Sequence, residues 1–176
     1  MSTNGLEVFD KTLQTTHIWL GELMSELGAD RHQAWKVLST VLHKLRDRLP
    51  VELAAHLGAE LPLLIRGVYY DQFQPTRQPS ECRNLEAFCA EVGEWLQDGR
   101  PVDARAAVDA VFRVLSHQLS AGQITKVQAA LPTTIREAWR AAATGAGGKP
   151  QEAVDGAKRA SPPFPPAELV SPHAAG

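Results

Sequence analysis

A chain of 176 residues, 44% apolar and 22% charged, has the make-up of one globular domain or two small fused lobes rather than of a disordered or fibrous polymer. A net charge of −2 and a pI near 6.3 give no global pull toward DNA, RNA or anionic lipid. No apolar run reaches the ~20 residues that span a bilayer, the first residues lack the basic start and apolar core of a signal peptide, and a cytoplasmic setting is the expectation.

Apolar residues at helical spacing predict a first helix over 6–27, with Phe9, Leu13, Leu20, Leu23, Met24 and Leu27 as its buried stripe and Trp19 beside it. Gly28 is a suitable stop. Asp30, three residues before Gln33, reads as the cap of a second helix. That helix is expected to bury Ala34, Val37, Leu38, Val41, Leu42, Leu45 and Leu49, and to turn Lys36, Thr40, Lys44, Asp47 and Arg48 to solvent. Pro50 opens a short helix with Leu53 and Leu57 inward, ending near Gly58. Pro62 restarts the chain into a further short helix over 63–70.

Pro75 and Pro79 mark a linker over 75–84. Beyond it Phe88, Val92, Trp95 and Leu96 form a new apolar stripe, and Pro101 is expected to begin a long helix that buries Ala104, Val108, Val111, Phe112, Leu115 and Leu119. Ser120 with Gln123 is a capping-box pattern for the short helix that carries Ile124 and Val127. Leu131-Pro132 breaks the chain again before Ile135 and Trp139. From about 143 the composition turns to Gly, Ala and Pro, which predicts a disordered tail with Phe164 set among prolines.

Residues 34–69 align without a gap on the stretch 70 positions later. Val41 meets Val111, Leu49 meets Leu119, Leu61-Pro62 meets Leu131-Pro132, and Ile65-Arg66 meets Ile135-Arg136. Dropping one residue brings Trp19 and Leu23 onto Phe88 and Val92. The shared positions are those a helix buries. The expectation is an all-α protein of two pseudo-repeated helical lobes, each of three to four helices, packed together. The first repeat covers 6–74, the linker 75–84, the second repeat 85–142 and the disordered Pro/Ala-rich tail 143–176.

These residues resemble a known family. Trp19-Leu20, then 41–50 (VLHKLRDRLP), then 59–70 (AELPLLIRGVYY) are similar to the bacterial domain of unknown function DUF2267, and so are 119–123 (LSAGQ) and 131–139 (LPTTIREAW). The likeness runs over about 6–139 and holds in both halves. It implies an all-helical, two-lobe bacterial cytoplasmic protein, and it brings no catalytic residue, substrate or cofactor. Phe73 stands where the family usually has Trp after the Tyr-Tyr pair.

The six histidines form no HxxxH pair and join no CxxC, so neither a metal nor another cofactor is expected. His43 aligns with Arg113 and His56 with Lys126, a pattern of solvated positions. Cys82 and Cys89, seven apart, are too distant along one helix for a disulfide. Neither has a nucleophile's surroundings, and Cys89 fits a helix core. Glu22 with Glu26 and Glu91 with Glu94 read as solvated helix faces.

Arg66 and Arg136 recur at one place in both repeats. Each could clamp a ligand carboxylate or phosphate, or tie the C-terminal carbonyls or an acidic side chain of a neighbouring helix. Tyr70 and Phe73 are candidate contact aromatics. Lys36, Lys44, Arg46 and Arg48 form a candidate basic face. The leading reading is a non-catalytic protein–protein interaction or regulatory module that binds another protein. Nucleic-acid binding through the basic face, or a small-ligand site between the repeats, are the alternatives.

Overall fold

The structure is a computed structural model that describes residues 7–81, 84–98 and 100–145. Its order is α1 (Glu7–Leu27), α2 (Arg31–Arg46), α3 (Val51–Glu60), α4 (Leu63–Tyr70), a 3₁₀ turn at Pro75–Arg77, α5 (Leu85–Leu96), α6 (Ala104–Gln118), α7 (Ala121–Ala130) and α8 (Thr133–Ala143). Among the described residues there is no strand, and the all-α expectation holds. Leu6, Cys82 and most of the expected tail, 146–176, lie outside the described residues.

Local chemistry sets the helix starts. Asp30, Asn84, Asp103 and Ser120 each accept a hydrogen bond from the backbone N–H three residues on, at 2.8, 2.8, 2.7 and 3.3 Å. Such a bond satisfies one of the amides that a helix start leaves unpaired. One sequence expectation is corrected here. The long helix begins at Ala104 rather than Pro101, because the Asp103 carboxylate, not the proline, holds its first turn. At Ser120 the expected cap is present, its hydroxyl accepting from the Gln123 backbone N–H; the Gln123 side-chain Nε2 is buried without a partner.

Gly28, with φ +59°, follows the last turn of α1, in the left-handed conformation a helix-ending glycine adopts. Gly58 plays a different part from the expected stop, since α3 continues to Glu60. The ring of Tyr70 lies against it, and a Cβ at position 58 would fall 2.7 Å from Tyr70 Cζ. The absent side chain is the space that Tyr70 fills.

One continuous apolar cluster draws residues from all eight helices, from Trp19 and Leu23 to Trp139 and Ala142. Phe112 stacks on Trp139 with ring centroids 4.5 Å apart and planes 4° from parallel, and Phe88 lies 6.1 Å from Phe112. The helices cross between the halves. α1 packs on α6, and α5 packs on α2; α2 and α6 touch each other, as do α3 and α7. Within each half the same neighbours recur, α1 on α2 and α4, α5 on α6 and α8.

Exposure corrects three apolar or polar assignments. Phe9 and Leu13 stand 54% and 48% exposed, while Thr12 and Thr16 turn inward instead. The stripe is real at helical spacing, but among the described residues no element covers those side chains in the first turns of α1. Trp95 is likewise half exposed, its ring covered by Lys44 Nζ at 5.0 Å from the centroid. The supposed polar face of α2 is partly interior, because Thr40 and Arg48 are buried. The linker is held to the end of α2: Gln78 Nε2 donates to the Arg46 carbonyl at 2.7 Å and the Ser80 N–H to the Asp47 carbonyl at 2.7 Å.

Candidate functional site

The residues singled out from sequence fall into different settings. Arg66 closes the end of α3, donating from Nη2 to the Ala59 and Leu61 carbonyls at 2.6 and 2.9 Å. Helix C-termini leave such carbonyls without partners, and a guanidinium satisfies two at once. Arg136, its aligned counterpart, reaches only the Thr133 hydroxyl at 3.2 Å, within the first turn of α8. Tyr70 and Phe73 stack edge to face at 5.6 Å, both half-buried, and the Phe73 ring lies 5.1 Å from the Arg46 guanidinium.

The four basic residues do not present one face to solvent. Lys36 Nζ donates to the Asp98 carbonyl at 2.6 Å. Arg46, 2% exposed, donates to the carbonyls of Tyr69 and Asp71 and pairs with Asp47. Arg48, 4% exposed, packs its guanidinium 4.6 Å from the Phe88 ring centroid and donates from Nη2 to Glu91 Oε1 at 2.8 Å. Lys44 Nζ reaches the other oxygen of Glu91 at 3.5 Å. Burial opposes the charge on Glu91, but the Arg48 hydrogen bond and the two nearby cations overcome it and hold the carboxyl below its ordinary value. His43 is also not a free surface group: its Nε2 lies 2.6 Å from the Val68 carbonyl.

Glu91 therefore joins α5 to α2 across the halves, where the sequence suggested a solvated pair with Glu94. A matching clasp joins α1 to α6. Glu22 accepts from Gln118 Nε2 and faces His117 Nδ1 at 3.3 Å, and Glu26 pairs with Arg113 at 3.2 Å. Position was the signal that could have exposed these acids. Glu22 and Glu91 both sit just before aligned core residues, Leu23 and Val92.

Two clefts open beside these clasps. One, of about 340 Å³, is walled by the first half of α1 (Val8, Lys11, Thr12, Thr15, Trp19), by Glu60-Leu61-Pro62-Leu63 at the α3–α4 break, and by Gln118. The hydroxyl of Thr12 in this wall is buried and has no hydrogen-bond partner. The other, of about 460 Å³, is walled by Pro79, Ser80 and Glu81 ahead of α5, by Ala130-Leu131-Pro132 at the α7–α8 break, and by Arg48. Positions 60–62 and 118 of the first correspond to 130–132 and 48 of the second at the 70-residue offset.

Cys89 is a half-buried thiol packed against the core, and burial pushes its pKa up, which keeps it protonated and a poor nucleophile. Among the described residues no group of three His, Cys, Asp or Glu could hold a metal ion, and no helix is long and apolar enough to cross a membrane.

The family model described as "Uncharacterized conserved protein (DUF2267)" matches residues 16–138. The match takes in both Leu-Pro breaks, both clasps and most of the core. The chain belongs to the DUF2267 family. No curated protein matches it.

Proposed function

We propose that this DUF2267 chain is a non-catalytic interaction module, whose α1 cleft receives the apolar face of a helix from a partner protein. The observation that carries the reading is the uncovered apolar surface of that cleft: Val8 and Leu63, on its opposite walls, are 54% and 51% exposed. Phe9 and Leu13 on α1 and Leu64 on α4 add to the exposed apolar area of the same two helices. Each of these half-covered side chains that a partner finishes covering contributes roughly 1 kcal/mol. Apolar side chains left exposed around a cleft are the kind of surface on which partners dock. A groove between two helices suits a partner helix that presents anchors at helical spacing. The unpartnered Thr12 hydroxyl offers one polar point to fix its register.

A photocrosslinking amino acid placed at Val8 in the full chain tests this. The expected result is one discrete adduct that disappears when Leu63 becomes Asp, while the folded stability of Leu63→Asp stays within about 0.5 kcal/mol of the parent. A probe at Trp95, exposed but outside the cleft, serves as the control. The same adducts from both positions, or an adduct indifferent to Leu63→Asp, would refute the reading.

A further inference from the structure

We infer that the chain's own C-terminal stretch 162–170 (PPFPPAELV) docks into the α1 cleft, with Phe164 between Val8 and Leu63. The inference rests on the reading of that cleft as a docking site and adds a second occupant, one that a partner helix must displace.

The place where the described chain ends supports this. Residues 146–176 follow Gly145, just past α8. Trp139 Nε1 donates to Ser116 Oγ at 2.9 Å, and Ser116 stands two residues before Gln118 in the cleft wall. From Trp139 the helix runs on only to Ala143, roughly 6 Å at helical rise. Phe164 follows Gly145 by 19 positions, a length of chain that can span up to about 60 Å. A ligand tethered so close to its site meets it at an effective concentration on the order of millimolar, which a second copy in dilute solution does not match.

The first half shows the path of a chain that leaves the same corner. After α4, Gln78 and Ser80 bond to the carbonyls of Arg46 and Asp47 at the end of α2. Pro79, Ser80 and Glu81 then wall the cleft beside Arg48. Gln78-Pro79-Ser80-Glu81 returns 71 positions later, after α8, as Lys149-Pro150-Gln151-Glu152. The end of α6 there is Gln118, the counterpart of Arg48. The same turn taken over α6 leads the chain to the α1 cleft.

Chemistry selects the stretch. Three of the four large apolar side chains beyond Gly145, namely Phe164, Leu169 and Val170, fall within 162–170. Val8 and Leu63, 54% and 51% exposed, are the apolar walls they would cover. Prolines on both sides of Phe164 fix φ, so ordering this stretch loses less entropy than ordering an ordinary one. Lys11, exposed on the α1 wall, is a cation for Glu168. Glu60 on the facing wall is taken up by the Ser120 hydroxyl at 3.1 Å.

The test uses the purified full chain, with no other protein present, carrying a photocrosslinking amino acid at Val8. Cleavage after Lys and Arg releases 160–176 as one peptide. The expected result is this peptide joined to the one that carries Val8, in a yield that Phe164→Asp and Leu63→Asp each lower several-fold. Phe164 lies outside the described residues and Leu63 is exposed, so neither change reaches the core. Glu168→Lys should lower the yield by a smaller factor. In an equal mixture of isotope-labelled and unlabelled chains, both halves of each joined pair should carry the same label. No joined tail peptide, a yield indifferent to Phe164→Asp, or pairs of mixed label, which mark a second copy in the cleft, would overturn the inference. Since no partner is present, such a failure leaves the partner helix standing, and a missing partner adduct leaves the tail contact standing.

Discussion

Just past the end of α2 stands Arg48, and 70 positions on, at the end of α6, stands Gln118. Each reaches across to a glutamate on the first helix of the other half, Glu91 or Glu22. Each also borders a cleft walled by a Leu-Pro break. Both clefts meet a helix start with a proline at its cap position, but one is bordered by a buried cation and the other by the long, half-uncovered α1 and a threonine hydroxyl. Two stretches that align in sequence therefore need not present the same side chains around their clefts. The core positions agree at this offset, while the side chains at the rims differ.

Substitution at the clasps should break the comparison most sharply. Arg48→Ala removes a buried guanidinium that packs on Phe88 and leaves Glu91 with Lys44 alone, a loss of about 3 kcal/mol in chemical denaturation. Gln118→Ala at the matching place should cost about 1 kcal/mol, the worth of an ordinary hydrogen bond. Equal losses would mean that the two clasps bear on stability alike.

A smaller difference is expected where Gly58 aligns with Gln128. Gly58→Ala drives a methyl group into the Tyr70 ring and should lower stability by about 2 kcal/mol. In the second half Gln128 meets Arg140 at a long 3.4 Å, so Gln128→Ala should lose less than about 1 kcal/mol. Thermal unfolding of both variants gives the ratio directly.

The smallest effect is one of pH. The folded-state pKa of Glu91 is held below its ordinary value of 4.5, so its contribution is complete above that value and fades as the pH falls through the lower, folded one. Solvent reaches the carboxylate, 35% exposed, and screening keeps the contribution under about 1 kcal/mol. Glu91→Gln should therefore be less stable than the parent at neutral pH, with the gap narrowing in acid. A gap that stays constant down to pH 3 would show that the charge on Glu91 contributes nothing.

Much of the fold could be read from the chain. The buried stripe of α2, from Ala34 to Leu49, and the cap at Asp30 follow from helical spacing and from one carboxylate. What could not be read was which sides of the helices find a neighbour. Phe9 and Leu13 keep the period of a core stripe in a place where no element among the described residues packs on them. Arg46 and Arg48 look like surface charge, yet the carbonyls and the carboxylate that receive them come from residues 23 to 43 positions away, apart from Lys44 and Asp47. The clefts were hidden for the same reason. Each brings together segments on either side of the linker, and the 70-residue offset shows them only once both walls are known.

The exchange of helices between the halves also dictates an order of events while the chain is being made. α1 rests on α6 and α2 on α5, so the first half leaves the ribosome with two apolar flanks waiting for partners not yet synthesised. Helices can form early, but the long-range packing of α1 on α6 must await the translation of α6. Throughout that interval the nascent protein offers apolar surface to whatever chaperone stands at the tunnel exit.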